Sequence, residues 1–278
     1  MTERTNEGAG EEKLDVAGLL DGEVTWTLLG TLYLRAWESR APRSILSDHY
    51  AAEALARIDH DFSAFERRLR PRSNQYLVAL RARGLDDWGA AFLARHPDAT
   101  VLQLGCGLDS RMLRLAPPPG VRWFDLDMPD VIAVRRRLYP EHDGYRLIAA
   151  SVTDSGWLDQ VPADRATLIV AEGLLPYLAP DEVRRLLQRL TGHFTTGELI
   201  FDALAPWLAR LGKPFRWGIR DAREIERWNP HLKCLAQVPF TTHATLIPSR
   251  RYRTLYRLGD RIPFWRTMSQ NFRFTWPA

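Results

Sequence analysis

The chain is poor in cysteine, with Cys106 and Cys234 the only two in 278 residues. Two cysteines cannot build a disulfide framework, and no Cys-x-x-Cys or Cys/His cluster has the spacing of a metal site. No run approaches the ~18 apolar residues of a membrane span, and the opening MTERTNEGAGEEK is polar and acidic, unlike a secretory signal. We therefore predict a cytoplasmic protein without a metal centre, preceded by a disordered tail over residues 1–15.

Concentrated charge is also missing. The formal net charge is only +4, and the arginines are spread over several predicted helices instead of forming one basic block. Because a nucleic-acid footprint normally clusters its cations, nucleic acid is not predicted as a partner, and neither is a membrane. The 45% hydrophobic and 26% charged residues are ordinary for a globular protein. These values leave the oligomeric state open.

The second part of the chain alternates short apolar runs with helix-length segments, which predicts an α/β fold with a mostly parallel sheet. Ligands of such sheets bind at the carboxyl ends of the strands. Helical patterns over 24–39, 49–58, 61–69 and 74–95 precede the first strand. The domain division predicted from these patterns is a helical cap (16–72), a ligand-binding core (73–202), a Trp-rich, lid-like helical insertion (203–235) and C-terminal strands (236–278). The predicted strands are ATVLQLG, VRWFDLD, YRLIAAS, ATLIVAE, GELIFDA, CLAQVPFTTHA and FRFTWP.

The first strand runs into two glycines in VLQLGCGLDS. Gly105 and Gly107 have no Cβ, so a ligand could touch the main chain there. A dinucleotide site usually continues to a third glycine, whereas this chain has Asp109 and Ser110, which disfavours NAD.

An acid at the end of the second strand gives a second indication of the ligand. Asp127 stands 20 residues after Gly107, the separation expected for an acid that binds a ribose. Asp125 is the less favoured candidate, and either acid could instead cap the following helix. A nucleoside with a small charged tail, such as S-adenosylmethionine, fits this pattern.

Several stretches, in this order, resemble the leucine carboxyl methyltransferase family, most of all its bacterial branch, which includes a carboxyl O-methyltransferase of polyketide biosynthesis. The resemblance spans residues 24–278. It implies a class I methyltransferase fold, Rossmann-like with a seven-stranded sheet, and S-adenosylmethionine as methyl donor, with S-adenosylhomocysteine as product. The stretches are ALRARGLDD, VLQLGCGLDSR, WFDLDMPDVIAVRRRLYP, ASVTDSGWLD and EGLLPYL.

The resemblance also implies roles for individual residues. Arg81 matches an arginine that pairs with the cofactor carboxylate, Gly105 and Gly107 lie beneath the methionyl portion, and Asp127 or Asp125 holds the ribose. Asp154 matches an acid near the adenine, with Trp157 as a stacking neighbour or a core residue. Glu172 matches a glutamate near the cofactor amino group, and Tyr177 a tyrosine at the floor of the acceptor site, so these two are the catalytic candidates.

A carboxylate is the usual acceptor of the family, and it is already ionised at neutral pH because its reference pKa is near ~4. No general base is then needed, and the sequence shows no His/Asp pair placed to act as one. The acceptor is predicted to be a small specialised metabolite or a peptide C-terminus, held by Trp217, Arg216 or Arg220. Alternatives are methylation of a phenol, with His231 or His243 as base, and an S-adenosylmethionine-binding protein without catalysis.

Overall fold

The computed structural model describes residues 13–16, 22–211 and 214–277, without the side chains of residues 22–25. Most of the predicted tail lies outside the described residues. Within the predicted tail, however, Leu14–Asp15 form a two-residue strand that pairs in parallel with Ile58–Asp59, and Leu14 is buried. The tail prediction is therefore wrong for these two residues, because Leu14 packs into the core of the cap.

One seven-stranded sheet organises the rest of the chain. Its strands are β1 (Thr100–Leu104), β2 (Arg122–Asp127), β3 (Tyr145–Ala149), β4 (Thr167–Ala171), β5 (Gly197–Leu204), β6 (Lys233–Pro239) and β7 (Ser269–Trp276). In spatial order they are β3-β2-β1-β4-β5-β7-β6, and only β7 runs antiparallel to the other strands. The order reverses between β1 and β4, where a ligand crevice is expected in an open α/β sheet.

Helices cover both faces of the sheet. Short 3-10 turns lie at Leu158–Gln160, Leu175–Tyr177 and Phe240–Leu246. The α-helices are α1 (Gly22–Ser39), α2 (His49–Ala56), α3 (Ser63–Leu69), α4 (Pro71–Arg95), α5 (Arg111–Leu115), α6 (Pro129–Leu138), α7 (Pro180–His193), α8 (Pro206–Ala209), α9 (Arg223–Trp228), α10 (Arg250–Gly259) and α11 (Pro263–Arg266). Among the described residues, every helix is too short or too polar to cross a lipid bilayer.

The core has two main layers because the buried strands present apolar side chains to both faces of the sheet. Along β1, Val101 joins the cluster beneath α1 and α4, and Leu102 joins the cluster beneath α7. All five residues of β1 and all five of β4 are buried. The central strands are therefore fixed from both sides, and their carboxyl ends form a rigid base for the loops that follow.

The predicted strands agree with the sheet except in the C-terminal part. The prediction of a strand over CLAQVPFTTHA is wrong after Pro239, where the chain turns into a 3-10 segment. Two helices, α10 and α11, then precede β7, and both are absent from the prediction. Proline at position 239 has no N–H with which to continue a ladder, which accounts for the end of β6 there.

Candidate active site

A cavity of about 800 Å³ opens at the carboxyl ends of β1, β2, β4 and β5. Helix α1 forms its opposite wall. The cavity lining combines glycines, ionised side chains and large apolar side chains. The lining residues are Trp26, Thr27, Leu28, Thr31, Arg35, Arg68, Arg81, Gln103, Gly105, Cys106, Gly107, Leu108, Asp109, Asp127, Val131, Glu172, Gly173, Leu174, Pro176, Tyr177, Asp202, Leu204, Pro214 and Phe215.

The glycine turn after β1 forms the cavity floor. Gly105 and Gly107 both have positive φ, +60° and +50°, which a residue with a Cβ rarely adopts. A Cβ at residue 105 would lie 2.9 Å from Leu174 Cδ1, and one at residue 107 would lie 3.0 Å from Leu28 Cδ1. The turn therefore exposes backbone to a ligand while α1 lies directly above it.

The structure separates the two acids of β2. Asp127 lines the cavity, and its carboxylate accepts hydrogen bonds from the backbone N–H groups of Gly107, at 2.7 Å, and Met128, at 2.8 Å. Burial raises the pKa of Asp127, and those two hydrogen bonds oppose the rise. One carboxylate thus closes the glycine turn and faces the ligand space.

Asp125 points away from the cavity and is fully buried. It forms an ion pair with Arg135 and accepts hydrogen bonds from Tyr145 Oη, at 2.7 Å, and Trp123 Nε1, at 2.8 Å. Asp125 does not line the cavity, so the predicted ribose contact stays with Asp127. Its partner Arg135 also donates to the Gly107 carbonyl at 2.9 Å, so the pair fixes the glycine turn from behind.

Arg81 lies between two carboxylates in the cavity wall. Its guanidinium pairs with Glu172, at 3.0 Å, and with Asp202, at 3.3 Å. Burial would raise the pKa of Glu172, but Arg111 and Arg81 outweigh it and lower that pKa below its ordinary value. Asp202 has the opposite balance, because burial raises its pKa more than Arg81 lowers it. The wall therefore offers both signs of charge to a zwitterionic ligand.

A buried ionic network continues from Glu172 into the cap. Arg111, whose side chain is fully buried, pairs with Glu172, with Asp86 at 2.6 Å and with Asp109 at 3.2 Å. Arg35 of α1 also pairs with Asp109. Arg114 extends the network to Asp48, Asp86 and Asp109, at 2.9, 3.0 and 2.7 Å. The network joins α1 and the segment before α2 to the end of β4.

The three arginines around Asp109 alter one argument drawn from the sequence. Burial alone would raise the pKa of Asp109, but Arg114, Arg35 and Arg111 together hold it well below its ordinary value. The carboxylate is thus ionised yet compensated. The charge of Asp109 is therefore no argument against NAD, and only the absence of the third glycine still disfavours it.

Tyr177 and Phe215 form the apolar side of the cavity, with ring centroids 5.3 Å apart. Burial raises the pKa of Tyr177, and a side-chain hydrogen bond with Thr27 of α1 opposes the rise. Tyr177 therefore stays protonated at neutral pH and can donate a hydrogen bond. Through Thr27, the first described side chains of α1 are linked to this side of the cavity.

The predicted acceptor residues lie outside the cavity. Trp217 is 3% exposed and belongs to the core cluster beneath α7, with its ring 6.1 Å from that of Trp228. Arg216 is largely exposed and pairs with Glu182 at 3.2 Å. Arg220 is exposed and does not line the cavity either. These three predictions are wrong, because the segment turns its apolar side into the core, and of its described residues after β5, Pro214 and Phe215 reach the cavity.

Four more candidates from the sequence do not line the cavity. Asp154 follows β3 and is exposed, so its contact with an adenine stays a prediction. Trp157 is a core residue that donates to the Val152 carbonyl. His231 is exposed, and His243 lies 3.7 Å from Asp87, away from the cavity. Among the residues that the structure describes, no histidine faces the ligand space.

Sequence reasoning missed Asp202, Arg111, Arg35 and Arg68. Asp202 could have been predicted, because it is an acid inside the apolar run GELIFDA and a buried charge needs a partner. The roles of Arg35, Arg68 and Arg111 depend on contacts between distant segments, which no spacing in the sequence reveals.

Comparisons with known proteins agree with this architecture. TcmP of Streptomyces glaucescens, a tetracenomycin polyketide synthesis O-methyltransferase, is 49% identical over 218 residues, which cover 74% of this chain and 79% of TcmP. The S-adenosyl-L-methionine-dependent methyltransferase dpfgK of Gibberella zeae is 40% identical, with the same coverage of 74% and 79%. A solved structure described as a methyltransferase from Thermobifida fusca matches with a TM-score of 0.56 at 17% identity, covering 88% of this chain and 94% of its own.

The class I methyltransferase fold predicted from the sequence is thereby confirmed, and so is S-adenosylmethionine as the cofactor. The sequence model of the leucine carboxyl methyltransferase family matches residues 28–191, more than half of the chain. The chain therefore belongs to the leucine carboxyl methyltransferase family and is an S-adenosylmethionine-dependent methyltransferase.

Proposed function

We propose that the enzyme is an O-methyltransferase that forms a methyl ester on a carboxylate of a small specialised metabolite, such as a polyketide-like acid, or of a peptide C-terminus. The observation that carries this proposal is the chemistry of the cavity lining. Three arginines and four acids line it, but none of the described lining residues is a histidine, lysine or free thiolate that could serve as a base. A carboxylate acceptor needs no base at neutral pH.

The cavity residues fit S-adenosylmethionine in charge and in shape. Arg81 faces the cofactor carboxylate, while Glu172 and Asp202 face its amino group. Asp127 accepts from the ribose hydroxyls above the bare backbone of Gly105 and Gly107. In addition, the buried Gln103 lines the cavity with an Oε1 atom that has no hydrogen-bond partner among the described residues. A buried polar atom without a partner is costly, so a ligand that donates to it would be stabilised.

The charge balance of the ionic network beside the cavity also favours this ligand. Five carboxylates, of Asp48, Asp86, Asp109, Glu172 and Asp202, face the four guanidinium groups of Arg35, Arg81, Arg111 and Arg114, which leaves one negative charge uncompensated. S-adenosylmethionine has one net positive charge from its sulfonium, ammonium and carboxylate groups. The ligand therefore completes the ionic network instead of adding charge to it.

The bound cofactor supplies a sulfonium methyl group for SN2 transfer, in which the bond electrons stay on sulfur and the acceptor oxygen forms the new bond. The residues of this chain align the two substrates and exclude water, which strengthens the attraction between carboxylate and sulfonium. In this proposal Tyr177, protonated and hydrogen-bonded to Thr27, donates a hydrogen bond to an acceptor oxygen.

Methylation of a phenol is the weaker candidate because it requires removal of a proton. Asp127 and Asp202 have raised pKa values, but Asp127 accepts two backbone hydrogen bonds, and Asp202 accepts one and pairs with Arg81. Neither carboxylate is free to act as a base.

The test incubates the enzyme with S-adenosylmethionine labelled in its methyl group and a panel of aromatic and aliphatic carboxylic acids and phenols. An ester releases labelled methanol under mild alkali, whereas a phenyl ether does not. We expect the label in the product to be alkali-labile. Stable label on phenols alone would overturn the ester assignment, while leaving methyltransferase activity in place.

A further inference from the structure

Arg68 is set apart from the other two arginines of the cavity. Arg35 and Arg81 pair with Asp109, Glu172 and Asp202. Arg68, at the end of α3, is exposed and forms no ion pair with any residue that the structure describes. Its guanidinium lies over the Trp26 ring, 4.5 Å from the centroid. The cavity therefore has one cation whose charge no described carboxylate compensates.

The position of Arg68 is fixed by a stack of side chains. The Trp26 ring stacks on Phe65, with centroids 4.1 Å apart and an angle of 16° between the planes. Phe65 is 1% exposed, so the base of the stack is rigid. Phe65 and Arg68 are three residues apart on α3 and face the same side of the helix. Arg68 and Trp26 thus form one edge of the cavity, which we call the mouth.

The cofactor does not account for a cation at the mouth. S-adenosylmethionine has a single anionic group, its carboxylate, and Arg81 in the wall faces it already. It has no phosphate, so its adenine and ribose give a guanidinium no anionic partner. The other ligand of a methyl transfer is the acceptor, which must occupy the rest of the cavity.

We infer that Trp26 and Arg68 form the acceptor subsite, in which Arg68 binds the negative charge of an acidic acceptor and Trp26, stacked between Phe65 and Arg68, orients the guanidinium. The inference rests on the proposed function and deepens it, because it names the residues that select a carboxylate. Tyr177, Pro214 and Phe215 supply the remaining apolar wall. Guanidinium groups suit this role because they bind carboxylates in a planar, bidentate fashion and stack on aromatic rings.

The subsite has a consequence for turnover. Esterification removes the negative charge of the acceptor, so the product loses the ion pair with Arg68 that the substrate makes. The enzyme therefore binds acid more tightly than ester, and the neutral product leaves more readily.

The test measures binding without turnover, in enzyme saturated with S-adenosylhomocysteine. The probes are 2-naphthoate and its neutral amide, titrated by calorimetry. We expect wild type to bind the acid about five- to ten-fold more tightly than the amide, less than a buried charge-assisted hydrogen bond would give, because Arg68 is exposed and solvent screens its charge. Arg68→Ala should abolish this preference, whereas Arg68→Lys should keep part of it.

Arg67→Ala is the matched control, since Arg67 is exposed on the same helix turn but does not line the cavity. It should retain the full preference for the acid. An unchanged preference for the acid in Arg68→Ala would overturn the inference. A wild-type enzyme that shows no preference for the acid, or that binds neither probe, would overturn it as well. Because the titration needs no methyl transfer, these results are independent of the alkali-lability test for ester formation.

Discussion

Arg81 and Arg83 are two residues apart on α4 but have different surroundings. The Arg81 side chain is 16% exposed and contacts two carboxylates of the cavity, whereas Arg83 is 40% exposed and pairs with Asp87. We predict that Arg81→Ala weakens S-adenosylhomocysteine binding by about 1.5–3 kcal/mol, the scale of a hydrogen bond to a charged group. Arg83→Ala should change it little. Calorimetry on both variants measures the two affinities, and equal losses would contradict a specific cofactor contact by Arg81.

Asp125 and Asp127 offer a second matched pair. Asp127→Asn should reduce cofactor affinity about ten-fold, since it removes a charged acceptor from the cavity. Asp125→Asn should instead lower the free energy of unfolding by about 3–5 kcal/mol, because it leaves Arg135 buried without its counter-ion. Denaturation and calorimetry on both variants separate the effects. If Asp125→Asn lost cofactor affinity at unchanged stability, the assignment of the two acids would be reversed.

At this scale the sequence predicts a residue well when a local pattern places it. Gly105, Gly107 and Asp127 follow from the end of a strand and a separation of 20 residues, and all three line the cavity. The choice between Asp125 and Asp127 depends on Arg135 and Tyr145, whose side chains fill the space behind β2. That packing is not encoded in any short motif.

Among the elements, the segment between β5 and β6 differs most from its prediction, because the residues expected to bind the acceptor lie outside the cavity. Trp217→Ala should lower the free energy of unfolding by about 3–5 kcal/mol, the cost of removing a large core side chain. Arg216→Ala, an exposed neighbour, should stay within about 0.5 kcal/mol of wild type. Chemical denaturation measures both. Normal stability together with impaired methyl transfer in Trp217→Ala would restore the role of Trp217 in acceptor binding.

The strands were predictable because each is a short apolar run bounded by turn residues. The sequence reading continued β6 beyond Pro239 because the next residues, Phe240, Thr241 and Thr242, are common in strands. The backbone conformation after Pro239 is set by tertiary packing, since Phe240 and Ala244 are buried in a small cluster with α4 and α10. Local propensity gave no indication of that contact.

For the whole molecule, the buried ionic network predicts a specific acid response. The pKa of Asp109 is held well below its ordinary value of 3.8 in the folded state, so its contribution to stability is present above about pH 4. It is lost as the pH falls through the lower, folded-state pKa. Asp127 and Asp202 have raised pKa values and act in the opposite direction, so their stability contribution is lost as the pH rises.

The Asp109 contribution can be isolated with Asp109→Asn. We expect this variant to be less stable than wild type at pH 7, because three arginines lose their shared counter-ion. The difference in unfolding free energy should shrink as the pH is lowered from 5 towards 2, since protonation neutralises the same carboxylate in wild type. A difference that stays constant with pH would show that the ionised form of Asp109 does not stabilise the fold.

No local sequence pattern could have predicted this network, because its members come from segments as far apart as Arg35 and Glu172. The sequence indicates only that the cap precedes the core along the chain. In the structure, ion pairs of Arg35 and Asp48 join the cap to the core. Ion pairs between segments so distant in sequence form only when the whole domain has folded.

The position of α1 across the cavity also bears on the order of events in catalysis. Leu28 lies over Gly107, and Thr27 is hydrogen-bonded to Tyr177. Helix α1 therefore covers the glycine turn and borders the acceptor space. An acceptor held between Arg68 and Tyr177 would then obstruct the route to the glycine turn. We expect a compulsory-order mechanism in which the methyl donor binds first and the demethylated cofactor departs last. S-adenosylhomocysteine should then inhibit competitively against S-adenosylmethionine and noncompetitively against the acceptor in steady-state kinetics.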